Sequence, residues 1–139
     1  MEIVTGSCLC GGITFELEGK LEPIQICHCG QCRKAQGSAF VTNIPIQELV
    51  IKQTSGGGSL SPFESSPGKQ RCFCSRCGSP VYSKTLKLPG VVRIRAGSLD
   101  GDLNTAAVCH FYVSSKANWL DIADDLPQFA EAYVPRSEE

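Results

Sequence analysis

The stretch GSCLCGGITFEL, residues 6–17, changes character at Gly11-Gly12. Before the glycines stand Cys8 and Cys10, one residue apart; after them Ile13, Phe15 and Leu17 alternate with polar neighbours, the period of a half-buried strand. Glycine tolerates positive φ, so the chain can fold back here with its N–H groups facing the thiolates. The stretch RCFCSRCGSPVYS, residues 71–83, repeats the device: Cys74 and Cys77, then Gly78, then a segment of strand composition. Tetrahedral zinc with Zn–S near 2.3 Å places its sulfurs about 3.8 Å apart, a spacing that tight turns supply and extended chain does not. Cys8, Cys10, Cys74 and Cys77 therefore read as one closed structural zinc site. It would tie the N-terminal strands to the second half of the chain and close a loop of more than sixty residues.

Between the two knuckles lies CHCGQCRKAQGS, residues 27–38, with Cys27, Cys29 and Cys32. Three thiols are one short of a closed site, and a zinc ion with three protein ligands keeps a position for water or substrate. This triplet reads as a second, catalytic zinc site, giving two Zn²⁺ per chain. Three thiolates on one zinc carry a net charge of −1. Arg33 and Lys34 can offset that charge and could bind an anionic substrate. A redox-active thiol cluster is the competing reading, and His28 completing an ordinary closed site is another. If Cys27 and Cys29 point the same way from extended chain, His28 points the other way, which favours a supporting or core role.

Cys109 and His110 are adjacent, so on a strand they face opposite sides. Cys109 then reads as a buried thiol, and His110 could still face the site. Cys72 reads as structural, Trp119 as core, and the acidic run Asp121 to Asp125 as solvated surface.

The whole chain has 139 residues, enough for one domain with a real core, and residues 1–139 read as a single unit. Thirteen basic residues oppose fourteen acidic ones, and no basic block exceeds Arg33-Lys34, which argues against nucleic acid and anionic membrane as partners. The start has neither a basic region nor an apolar one, and no apolar run approaches the length of a membrane span. A cytoplasmic location follows as the expectation. Nine cysteines, an odd number, then suggest metal ligation or thiol chemistry over disulfides. Short β-branched segments such as ELVIKQT, GVVRIRAGS and AAVCHFYVS predict a mainly β domain of antiparallel sheets with little helix. One short helix is expected through GQCRKAQ, ended by Gly37, and another after Pro127 in PQFAEAY. Residues 54–70, rich in Gly, Ser and Pro, read as a long loop with at most a short strand at LSPFE.

Taken together, GSCLCGGITFEL, CHCGQCRKAQGSAF, RCFCSRCGSPVYS, RAGSLDGDL and HFYVSSKANWLDIADDLPQF resemble, in order, the motifs of the glutathione-dependent formaldehyde-activating enzyme family, which includes centromere protein V. The resemblance runs from Gly6 to Phe129. It implies a zinc-organised β-tent, with Cys8, Cys10, Cys74 and Cys77 as structural ligands and Cys27, Cys29 and Cys32 as catalytic ones. It also implies a carbon–sulfur lyase that makes or breaks an adduct such as S-hydroxymethylglutathione, with a small thiol or thiol adduct such as glutathione as partner. Two other classes stand beside this reading. A non-catalytic zinc module would show a blocked second site and an exposed apolar patch. A thiol or sulfoxide reductase would show an exposed, acidic Cys109 or Cys72.

Overall fold

The alternation that begins at Ile13 produces an edge-to-edge stack of short strands. The computed structural model describes residues 2–132. Three strands, β1 (Ile3–Ser7), β2 (Thr14–Glu18) and β5 (Ile51–Ser55), form an antiparallel sheet in the order β1-β2-β5. Seven others form the second sheet: β3 (Ile24–Cys27), β4 (Val41–Gln47), β6 (Leu60–Ser66), β7 (Lys69–Cys74), β8 (Pro80–Thr85), β9 (Val91–Arg95) and β10 (Ala107–Phe111). Their order is β10-β3-β4-β9-β8-β7-β6. The fold is mainly β, as the sequence predicts, with one departure from antiparallel pairing: β10 runs parallel to β3.

Ile13, just before β2, and Phe15 and Leu17 of β2 pack against Ile44, Val81, Val92 and Ile94 of the large sheet. Leu17, Ile44, Val92 and Ile94 have no exposed surface at all. Burying a side chain of this size stabilises the fold by roughly 1.5–3 kcal/mol. Cys8 and Cys74 belong to the same cluster, so the knuckles grow directly out of the core.

One α-helix is present among the described residues, α1 (Gly30–Gln36), where the sequence places it. Its first turn is capped by Cys29, whose Sγ accepts the N–H of Cys32 at 3.2 Å. Gly37 ends it at φ 62°, donating its N–H to the Arg33 carbonyl.

Three expectations need correction. Residues 54–70 are not mainly a loop, because β6 runs for seven residues and pairs with β7 along its length. A strand begins at LSPFE as allowed for, but composition understates its length because it is the sheet's last strand, where Pro62 and polar residues are tolerated on a free edge. PQFAEAY does not form a helix within the described residues, and Tyr133 lies outside them. The segment instead exchanges backbone hydrogen bonds with β10, Phe129 donating to the His110 carbonyl and His110 donating to the Pro127 carbonyl, both at 2.9 Å, because that strand has a free edge to satisfy. Trp119 is 66 % exposed, and the small Ala117 is the buried residue of its segment.

The entry to β6 depends on Gly56, at φ 78°. A Cβ there would stand 2.2 Å from the carbonyl oxygen of Gly12, immediately before the first core residue of β2's approach. Gly56→Ala is expected to lower stability by at least about 2 kcal/mol. Gly58→Ala, with open space around it, should cost less than about 1 kcal/mol. Denaturant midpoints of the two variants check the contrast.

Candidate active site and metal centres

The two knuckles meet in space. Gly11 at φ 74° and Gly78 at φ 79° reverse the chain after each cysteine pair, and each donates its N–H to a cysteine carbonyl, Cys8 and Cys74 respectively. Cys8, Cys10, Cys74 and Cys77 place their sulfurs within 4.8 Å of one another. Cys8 and Cys10 Sγ are 3.5 Å apart and Cys10 and Cys74 Sγ 3.9 Å, close to the tetrahedral edge that zinc with four thiolates requires, about 3.8 Å. Backbone N–H groups point at the sulfurs, from Ile13 to Cys8 at 3.3 Å and from Gly12 to Cys10 at 3.4 Å. Donors so placed favour thiolate over thiol. Ser79 bridges the knuckles: its hydroxyl accepts the Leu9 N–H at 2.9 Å and lies 3.2 Å from Cys77 Sγ.

The second cluster is Cys27, Cys29 and Cys32, again with sulfurs within 4.8 Å. Cys27 ends β3, Cys29 caps α1 and Cys32 sits in its first turn, so one strand-to-helix junction presents all three. Among the described residues no fourth Cys, His, Asp or Glu joins them. Cys32 and Cys27 Sγ are 3.5 Å apart. Hydrogen bonds from Cys27 and Cys29, then Arg71, pull Cys32 far below the usual thiol range. The same contacts with Cys29 and Cys32, together with burial, push Cys27 far above it. Three thiolates this close cannot coexist without a cation, and an all-sulfur donor set suits zinc. Both clusters are thus able to hold metal ions.

The charge beside the triplet has a source the motif does not reveal. Arg71 Nη2 lies 3.6 Å from Cys32 Sγ and also donates to Gln31 Oε1 at 3.0 Å, while its Nε donates to Ser65 Oγ at 3.2 Å. Arg33 is half-buried with its Nε lacking a partner, and Lys34 is exposed on the helix. Burial, then the neighbouring Arg71, pulls Arg95 down to about 10, still cationic at neutral pH. The sequence signal for these groups was the period-two placing of cations in KQRCFC and VVRIRAGS, which becomes informative only once the strands are in register.

His28 is fully buried and is not a member of the triplet. Its Nε2 lies 2.8 Å from Nδ1 of His110, and His110 Nε2 lies 3.0 Å from Asp124 Oδ2. A carboxylate only accepts, so His110 donates from Nε2. With both rings neutral, His28 then donates from Nε2 and keeps a bare lone pair on Nδ1, a buried atom without a partner. Burial, then His110, lowers the pKa of His28 and keeps it neutral. Asp124, in the acidic run, is therefore more than solvated surface: the Leu126 N–H and His110 hold its carboxyl below the usual range. Tyr112 packs against the triplet with its backbone at φ 57°. Left-handed geometry is uncommon for an aromatic residue and collects at functional sites.

Cys109 and Cys72 are buried, and burial raises the pKa of each. Neither has the exposed, acidic thiol that a reductase needs. No helix is long and apolar enough to cross a membrane among the described residues.

The family model described as glutathione-dependent formaldehyde-activating enzyme matches residues 3–115. A Halomonas elongata protein named "Putative glutathione-dependent formaldehyde-activating enzyme" is 30% identical over 131 residues, covering 86% of this chain and 81% of its own length. An uncharacterized lyase of Schizosaccharomyces pombe is 24% identical over 132 residues, covering 95% of this chain and 94% of its own. The crystal structure of a Rhodobacter sphaeroides protein shares the fold, with a TM-score of 0.61 at 18% identity over 74% of this chain and 99% of that one. With a match across most of its length, both knuckles and the triplet included, the chain belongs to the glutathione-dependent formaldehyde-activating enzyme family.

Proposed function

We propose that the protein is a zinc-dependent carbon–sulfur lyase that makes or breaks a thiol–aldehyde adduct of the S-hydroxymethylglutathione type at the Cys27, Cys29, Cys32 centre. The observation that carries this reading is the contrast between the clusters: four convergent sulfurs in one, three in the other. The four-sulfur site, Cys8, Cys10, Cys74 and Cys77, is assigned a structural zinc. The family match and the two relatives' names support a lyase-type reaction on a small thiol.

In the addition direction the thiol sulfur bonds to the aldehyde carbon and the carbonyl oxygen takes up a proton, giving a hemithioacetal. Cleavage reverses both changes, with no oxidant or reductant. Cys27, Cys29 and Cys32 would hold a zinc ion, which would supply Lewis acidity and favour thiolate over thiol there. Arg71 fixes Cys32 and balances its charge. Arg33 and Lys34 flank the centre from α1 and are assigned to substrate binding. His28, neutral and anchored through His110 to Asp124, keeps an unpartnered Nδ1 that can accept a proton.

Metal analysis of purified protein followed by titration with glutathione tests the proposal. Two zinc ions per chain are expected, with cobalt substituted at the triplet changing its absorption spectrum on thiol addition. One zinc per chain, or a spectrum indifferent to glutathione, would refute it.

A further inference from the structure

The face of the large sheet that carries Cys27 also carries a concentration of positive charge that the metal–thiolate centre does not use up. Strand register places the residues. Arg71 pairs with Ser83 and Ser83 with Arg93, so both arginines stand on one face. Arg95 shares that face, two residues on from Arg93, and Lys69 shares it two residues before Arg71. Asn43 pairs with Arg95 and with Gln25, and Cys27 lies two residues beyond Gln25 on the same face. Four cations thus line a surface that ends at the triplet. The residues paired with these cations are Ser66, Thr85, Phe63, Ser83, Pro45 and Asn43, none of them acidic, and Glu64 pairs with Gln70 one position off this face.

Apart from the Cys32 sulfur, 3.6 Å from Arg71 Nη2, the partners these cations have are neutral. Arg71 is held by Gln31 and Ser65, and Arg95 by Asn43 and by Ser83, the latter at 3.2 Å. Both are more than nine-tenths buried, and each retains an unpartnered buried nitrogen, Nη1 of Arg71 and Nε of Arg95. Lys69 and Arg93 are half-buried beside them, and no ion pair among the described residues includes any of the four. A zinc ion on three thiolates contributes a net charge of −1, so the surface keeps an excess of about three positive charges. Buried charge without a counter-charge is costly, and buried N–H groups are ordinarily satisfied. Both deficits point to a missing anion.

Resting on the thiol reading above, we propose that this arginine-lined face is an anion subsite, and that the thiol brought to the triplet carries at least one carboxylate bound there. Guanidinium groups pair with carboxylates in a planar, two-pronged fashion. Arg71 and Arg93, two strands apart, stand roughly 10 Å from each other along the sheet, which spreads the charge over more than one compact anion. A thiol with separated carboxylates matches that spread, and glutathione is one such compound. Lys69 and Arg93 are the accessible contacts, and Nη1 of Arg71 and Nε of Arg95 are the buried donors behind them.

Calorimetric titration of the zinc-loaded protein with mercaptopropionate, mercaptoethanol and S-methylated mercaptopropionate tests the subsite. Mercaptopropionate is expected to bind about tenfold more tightly than mercaptoethanol, with salt narrowing the gap. Arg93→Gln should bring the two affinities close together while leaving mercaptoethanol binding unchanged, and Arg93→Lys should restore most of the difference. Thermal melts of both variants establish that they fold. Equal affinities in the wild-type protein, or an Arg93→Gln variant that keeps the full preference, overturn the subsite and leave the thiol reading intact. If S-methylated mercaptopropionate binds as well as the free thiol and loses affinity in Arg93→Gln, the subsite stands and the thiol reading falls.

Discussion

Cys74→Ser is expected to release the metal from the four-sulfur cluster and to abolish cooperative unfolding. Cys74 has no exposed surface, ends β7 and packs in the main core cluster with Cys8. Its sulfur is 3.9 Å from that of Cys10, across 64 positions of sequence, so the bond it makes to a shared metal closes most of the fold. Structural zinc contributes about 10–16 kcal/mol of apparent binding energy in small zinc modules, whereas a whole domain is stable by about 5–15 kcal/mol. Loss of the ligand should therefore exceed the margin. Metal content and differential scanning calorimetry of the variant give the answer, and a retained sharp transition with the metal in place would rule out a structural role.

The second large effect is expected at Cys27, in the opposite observable. Cys27→Ser should lose the triplet's metal and at least about a thousandfold in lyase turnover, the scale set by removing a principal source of transition-state stabilisation. The fold should survive. Cys27, Cys32 and Val41 form a small cluster of their own, separate from the core between the sheets. Its disruption should cost about 1–3 kcal/mol, leaving a cooperative melt shifted by several degrees. Activity, zinc stoichiometry and melting measured on one preparation separate the outcomes. Should Cys27→Ser unfold the protein while Cys74→Ser melts normally, the roles of the two clusters are exchanged.

Much of the site was legible before any coordinates. The glycines after Cys10 and Cys77 mark turns that occur at those positions, and the four cysteines they serve converge. The triplet's missing fourth sulfur was also legible, and His28 is not a member of it. Errors fell where composition speaks weakly. An edge strand can carry Pro, Ser and Glu, so β6 read as a long loop with at most a short strand at LSPFE. A terminal segment that borrows β10's free edge follows no periodicity of its own, so Phe129 and its neighbours read as helix.

The sequence by itself determined the strands, the short helix and the two cysteine groups, because each rests on local rules: alternation, capping, and glycine's access to positive φ. Only the tertiary structure decided which groups share the triplet's surroundings. Arg71 reaches Cys32 from 39 positions away, and His110 meets His28 from 82. Such pairings depend on strand order and register, where a slip of one residue would turn every cation on the Cys27 face toward the core. Local sequence carries no record of that choice, since it is made by how the sheets bury Leu17, Ile44 and Ile94 between them.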